Sequence, residues 1–268
     1  MLSASWLAIP PAAADFALRS ALTNPAPDDG KLIDLARSGD RLFVVGARGL
    51  IAYSDDDGES WSQAAVPVSG TLTAITFTPG GTGFAVGHGG VILRSTSGGE
   101  SGETVFDGRQ ANQQFLAWAT ENSARLEQEL ADLEAAEDPD PALIEDAEYA
   151  LEDALFALDD AEVAVETGPA DPFLAILFVD DEIGVALGAY GMAYRTENGG
   201  DSWTLAIDGI DNPDRYHFYS LARDSNGRLH ASGEAGLLYY SDAVSYTHLR
   251  AHETKEEISY AVFWVKSG

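Results

Sequence analysis

One sequence unit occurs four times in this chain, and a repeat constrains the fold more than any other sequence feature. Each copy can bury its apolar face only against the next one. The copies are LFVVGARGLIAYSDDDGESW from Leu42, GFAVGHGGVILRSTSGGESG from Gly83, GVALGAYGMAYRTENGGDSW from Gly184 and LHASGEAGLLYYSD from Leu229. Each contains Gly-x-x-Gly, an apolar residue and then, five positions after the second glycine, Ser54, Ser95, Thr196 or Ser241. The unit reads as strand, tight turn, strand, polar turn. The glycines are expected to supply the positive φ of tight hairpins, where a Cβ is costly.

The first glycines are Gly46, Gly87, Gly188 and Gly233, spaced 41, 101 and 45 residues apart. A β-rich period of ~40–45 residues is the signature of a propeller. Removing one 41-residue period from the interval of 101 leaves an insertion of 60 residues. The fold class is therefore mainly β: an incomplete, truncated β-propeller with an inserted antiparallel α-helical hairpin.

The polar turn matches the Asp box, Ser/Thr-x-Asp-x-Gly-x-Thr/Ser-Trp. Ser54, Asp56, Gly58, Ser60 and Trp61 fill it completely; Thr196, Asn198, Gly200, Ser202 and Trp203 fill it with Asn for Asp. The second repeat keeps Ser95, Gly99 and Ser101 but has Ser97 for the acid and Gly102 for Trp. Short polar side chains bond the turn's own backbone and Trp covers the blade, so the motif reads as structural. Asp55-Asp56-Asp57-Gly58 does not make an EF-hand, which needs alternating ligands and a closing Glu.

The insertion, residues 109–168, carries helical spacing. One series is Leu116, Ala119, Ser123, Leu126, Leu130 and Leu133; the other is Ile144, Ala147, Leu151, Ala154, Leu158, Ala161 and Val165. Steps of three and four place each series on one helix face. Asp138-Pro139-Asp140-Pro141 stops one helix and starts the next. A hairpin projecting from a blade edge is expected. Residues 111–168 hold 17 acidic residues and one base, Arg125, so −16 of the chain's net −29 lies here. This surface reads either as a solvated face or as a docking arm for a basic partner.

Charge also excludes partners. Fifteen Lys and Arg against 44 Asp and Glu argue against nucleic acid and against an anionic membrane surface. No cysteine is present, which removes disulfides, thiol catalysis and Cys-ligated zinc.

Both ends have their own readings. Met1 to Asp15, MLSASWLAIPPAAAD, holds a short apolar stretch and Ala12-Ala13-Ala14 before Asp15, but the first basic residue is Arg19. It reads as the remnant of a secretory signal, residues 1–14. Val244 to Thr254, VSYTHLRAHET, followed by Ile258 to Phe263, ISYAVF, resembles the translation of a transposase-based sequencing adapter, with both adapter segments in order and frame. Residues 244–268 are thus expected to be adapter-derived, leaving the chain a fragment whose blades occupy 15–108 and 169–243. Amplifying the locus from flanking sequence would test this, since recovery of the same codons would refute an adapter origin.

The Gly-x-x-Gly strands with Asp boxes, over Lys31 to Gly108 and Pro172 to Asp242, resemble the photosystem II stability/assembly factor family of neuraminidase-repeat (BNR) propellers. The resemblance implies a non-enzymatic, exported assembly or scaffold factor without a cofactor. Its partner would be a membrane-protein complex, met in the periplasm or, in photosynthetic relatives, the thylakoid lumen. The acidic hairpin departs from the photosynthetic pattern. The alternative is a sialidase-type glycoside hydrolase with catalytic residues in further blades, which needs three arginines gripping a carboxylate and a Tyr/Glu pair. No catalytic residue is assigned. Binding candidates are Arg48, His88, Arg94 and Arg195; Arg94 and Arg195 share one repeat position. His217 and His230 lack ligand-spaced partners, and no metal site is read.

Overall fold

In the computed structural model the described residues are 19–24, 26–169, 171–242 and 245–251. The expected signal remnant lies outside them, as do residues 252–268 of the tail. Among the described residues sixteen strands form four separate four-stranded antiparallel meanders. The first blade is β1 (Leu32–Ser38), β2 (Arg41–Gly46), β3 (Ile51–Ser54) and β4 (Ser62–Gln63). The second is β5 (Leu72–Phe77), β6 (Gly83–Gly87), β7 (Val91–Ser95) and β8 (Glu103–Phe106). The third is β9 (Phe173–Phe178), β10 (Gly184–Gly188), β11 (Ala193–Thr196) and β12 (Thr204–Leu205). The fourth is β13 (Phe218–Arg223), β14 (Leu229–Gly233), β15 (Leu238–Asp242) and β16 (Ser245–Ala251). The first strands stand side by side in the order β1, β5, β9, β13, and among the described residues β13 does not pack on β1 in the same way. The blades form an open propeller, as the repeats predicted.

The core lies between the sheets. Phe43 of β2 meets Phe77 at the end of β5, ring centroids 4.5 Å apart, and Phe84 of β6 stacks on Phe178 at the end of β9 at 4.1 Å. The equivalent positions at the third interface are Val185 and Arg223, and Arg223 donates to the Val179 carbonyl at 2.8 Å instead. At the open side of the first blade Leu32, Ile33 and Leu35 are 43%, 52% and 59% exposed. In each first strand the pairing slips by one residue, at Ile33, Thr73, Leu174 and Tyr219. A bulge at the same repeat position bends all four strands alike.

The two repeat glycines have different jobs, which corrects the expectation that both serve positive φ. Gly46, Gly188 and Gly233 are extended, with φ −176°, −156° and −141°. A Cβ there, or on Gly87, would overlap the carbonyl oxygen of Lys31, Pro172, His217 or Thr71, the residue before each blade's first strand. The following N–H donates to that same carbonyl at 2.8–3.0 Å in all four blades. Only the second glycine is left-handed, as at Gly49 (φ 71°) and Gly191 (φ 72°). The residue before it is left-handed too: Arg48 at φ 64°, Tyr190 at 52° and Ala235 at 55°. Two successive left-handed residues make the hairpin turn that suits the strand twist.

Two helices sit between β8 and β9: α1 (Gly108–Glu134) and α2 (Pro141–Thr167). Asp107 caps α1 in a capping box with Gln110, and Asp140 caps α2 with Pro141 in its first turn. Ala119 and Ser123 of α1 and Ala147, Ala154 and Ala161 of α2 are buried, and the two helices pack against each other. Val165, read as part of this seam, is 39% exposed because the seam ends at Ala161.

The hairpin does not simply project from an edge. Ala111 is buried in the core shared by the second and third blades, beside Phe106, Phe173 and Tyr194. Gln114 bonds the outer strand of the third blade, donating to the Trp203 carbonyl and accepting from the Leu205 N–H, both at 2.9 Å. Trp118 donates to Asp208 at 2.7 Å. Heptad spacing shows how the helices meet each other and says nothing about the sheet that receives them.

In the fourth repeat Ser241 is followed by Ala243 and Ser245 where the box has Asp and Gly, and β16 pairs with β15, with Asp242 opposite Ser245. The tail thus supplies an outer strand over residues 245–251. An edge strand offers unpaired N–H and C=O groups to whatever extended segment follows, so this pairing carries no information about the origin of the segment.

Candidate functional site

Each blade has two ends of different character. At one end lie the Asp boxes. Ser54 Oγ donates to Asp56 at 2.7 Å and accepts from Gly58 N at 2.8 Å, and Asp56 accepts from Ser60 N and Oγ at 2.8 and 2.6 Å. Trp61 closes the turn by donating to the Gly58 carbonyl at 3.2 Å. Asn198 repeats the pattern, accepting from Ser202 N at 3.0 Å and donating to its hydroxyl at 2.9 Å. Ser97 imitates it with hydroxyl contacts to Ser101. The hydroxyls of Ser54 and Ser60 and the Asp56 carboxylate bond within their own turn, which is a structural arrangement.

The hydroxyl and N–H of Ser60, then Ser54, hold the Asp56 carboxyl down at about 2. Asp55 is lowered by Arg41 and Asp224 by His230. Asp171 moves the other way because burial raises it. A lowered folded value means stabilisation present above the unfolded carboxylate range near ~4 and lost as pH falls toward the folded value. The melting temperature should therefore drop between about pH 4 and pH 2. Asp56→Asn should reduce that drop while keeping the turn, as Asn198 does; a pH-independent melting temperature across this range would refute the assignment.

The arginines at this end staple blades together. Arg94 bonds Asp201 in the Asp box of the next blade and Glu103 of its own, at 2.5 and 3.0 Å. Arg41, which the sequence reading missed, does the same between the first two blades. It grips Asp55 at 2.6 Å, donates to the Gly98 carbonyl at 2.9 Å and lies 3.5 Å from Glu100. Arg195 shares the repeat position of Arg94 but pairs with Glu197 of its own box at 2.5 Å. Shared repeat position predicted shared surroundings, yet only Arg94 has an acid waiting on the next blade. Arg94 and Arg195 are thus committed to carboxylates and do not converge with Arg48 at the opposite end.

The other end is formed by the Gly-x-x-Gly turns, with Arg48, His88 and Tyr190 exposed on it. None of the ion pairs among the described residues involves Arg48. The hairpin rises from this end, because Gly108 N donates to the Gly89 carbonyl at 3.0 Å. A Cβ on Gly90 would press on Gly108, and one on Gly108 would strike Gly89 and Pro169, so this junction is glycine-built.

Beside it lies a cluster that sequence reading did not find. His217 Nδ1 accepts the Tyr190 N–H at 2.7 Å, which places any ring proton of the neutral imidazole on Nε2. The two rings meet edge to face at 4.6 Å, and Tyr219 lies 6.4 Å beyond His217. Arg215 donates to the Tyr190 carbonyl at 3.4 Å, covers the Phe115 ring at 4.8 Å and lies 3.9 Å from Asp160. The available signal was Tyr190 itself, a bulky residue where the second repeat has glycine.

A guanidinium, an imidazole and tyrosines on one exposed face can recognise peptide carbonyls, carboxylates and aromatic groups. Among the described residues no group of three or more His, Asp or Glu is placed to hold a metal, and no helix is long and apolar enough to cross a membrane.

Open blades stapled by Asp boxes define a neuraminidase-repeat β-propeller. Residues 17–96, less than a third of the chain, match the model of the family described as photosynthesis system II assembly factor YCF48. YCF48 from Cyanidioschyzon merolae is 18% identical, with TM-score 0.50 over 86% of this chain and 58% of that one. A structure described as YCF48 bound to D1 peptide is 15% identical, with TM-score 0.49 over 89% of this chain and 59% of that one. An ancestral GH74 enzyme is 15% identical, with TM-score 0.47 over 83% of this chain and 24% of that one. The chain thus spans less than two thirds of the length of either YCF48 structure. No curated protein matches it.

Proposed function

We propose that this chain is a non-enzymatic, exported assembly or scaffold factor that holds a segment of a membrane-protein subunit on its Gly-x-x-Gly face. The observation that carries this reading is the family match over residues 17–96, which contains the turns bearing Arg48 and His88. The exposed Tyr190 and the neighbouring His217 and Arg215 extend the same face across the third and fourth blades. Ala12-Ala13-Ala14 before Asp15 supports export to the periplasm or lumen. No observation favours the glycoside hydrolase.

A photo-crosslinking residue placed at Arg48 or Tyr190, in the native host, should capture a membrane protein. The same probe at Asp57, whose side chain is 81% exposed at the Asp-box end, should not. Equal capture from both ends, or none from the turn face, would overturn the assignment of the surface. Alkaline phosphatase fused after residue 30 in the chromosomal gene, with its own upstream sequence kept, should be active outside the cytoplasm, and an inactive fusion would remove export from the reading.

A further inference from the structure

The outer face of α2 carries apolar side chains that none of the described residues covers. Tyr149, Phe156 and Val163 follow at seven-residue spacing and are 62%, 68% and 51% exposed. At 3.6 residues per turn that spacing lines them up on one side of the helix, roughly opposite the Ala147–Ala154–Ala161 seam buried against α1. A helix face turned only to water is ordinarily polar. Here two aromatic rings and a valine alternate with Glu152, Asp159 and Glu166, each three residues after one of them. At the hairpin tip, Glu145, Glu148 and Glu152 surround Tyr149 and Ile144 in an open groove of about 510 Å³.

Charge selects the occupant. Residues 141–167 contain nine acidic residues and no Lys, Arg or His. A second copy would set this acidic face against itself, and an anionic bilayer or nucleic acid would be repelled in the same way. A helix with Lys and Arg flanking an apolar stripe meets both halves of the pattern. Its aliphatic stems and apolar residues would cover the rings while its cations met the carboxylates between them. The molecule already shows this chemistry where Arg215 lies over Phe115 and beside Asp160, and where Arg41 lies over Tyr53 and grips Asp55.

We infer that the outer face of α2 docks a basic amphipathic helix of a partner protein, with its apolar residues on Tyr149, Phe156 and Val163 and its cations on Glu152, Asp159 and Glu166. This surface is separate from the turn face and stands or falls independently of the function proposed above.

The probe is a fluorescent synthetic helix of about three heptads with Leu at every seventh position and Lys beside it, titrated into the full chain. A scrambled peptide of equal charge is the control. Phe156→Ser should weaken binding of the patterned peptide by about tenfold or more, as loss of a central aromatic anchor does. Glu152→Lys with Asp159→Lys should weaken it comparably, and added salt should mimic the reversal. Both variants alter exposed positions, and an unchanged circular dichroism melt would confirm that they fold. Equal affinity for the scrambled peptide, or an unchanged affinity in Phe156→Ser, would reduce the surface to nonspecific charge and overturn the proposal. Self-association abolished by Phe156→Ser would assign the face to a second copy and likewise overturn it.

Discussion

Gly188→Ala should destabilise the protein by about 3 kcal/mol or more, a cost in the range reserved for core disruption, whereas Tyr190→Gly, two residues away, should not destabilise it. The new methyl group would overlap the Pro172 carbonyl, which already accepts the Ala189 N–H at 3.0 Å. Relief would require the turn to leave the start of β9 and break that bond. Tyr190 sits at φ 52° with its ring half exposed, so glycine there removes strain of about 1 kcal/mol while losing only the edge contact to His217. Chemical denaturation of the two variants measures both. Equal destabilisation would show that the motif's glycines serve turn conformation alone, as the sequence first suggested.

Removing the whole hairpin, residues 109–168, should also unfold or strongly weaken the blades, although the repeat spacing closes to 41 residues without it. The deletion takes Ala111 out of the core and leaves the buried Tyr194 hydroxyl without the Ala111 carbonyl it bonds at 2.9 Å. An unsatisfied buried hydroxyl alone costs about 1–3 kcal/mol. The two Gln114 bonds that extend β12 would be lost as well. Replacing only residues 124–152 with a short Gly-Ser turn should instead leave stability nearly unchanged. That cut keeps Asn112 bonded to the Ala164 carbonyl at 2.7 Å and the buried Ala119, Ser123, Ala154 and Ala161. Thermal melts of the two deletions separate root from arm. A full deletion that melts like the parent would mean that the contacts of α1 with the blades contribute little.

These expectations bear on how a repeat propeller carries function. The Asp-box end is consumed by structure: hydroxyls, carboxylates and arginines there satisfy one another within and between blades. The Gly-x-x-Gly end has its backbone fixed by a bond to the preceding loop, so the residues between the glycines are free to differ. Arg48, His88 and Tyr190 occupy those positions, and variation there leaves the scaffold intact.

Much of the fold was legible in the sequence because its determinants are local. Strand, turn and helix depend on residues within a few positions of each other, so the four repeats marked the blades, Asp56 and Asn198 their boxes, and Asp140 with Pro141 the start of the second helix. What only the tertiary structure decided is which residues far apart in sequence meet. Arg94 finds Asp201 across 107 positions, Tyr194 finds Ala111 across 83, and Trp118 finds Asp208 across 90. No local pattern encodes those encounters; they follow from how sheets stack and where the helices return. Equivalent positions therefore acquired unequal roles, as Arg94 and Arg195 show. For the same reason the cluster of Tyr190, Arg215 and His217 came into view only once the third and fourth blades stood side by side.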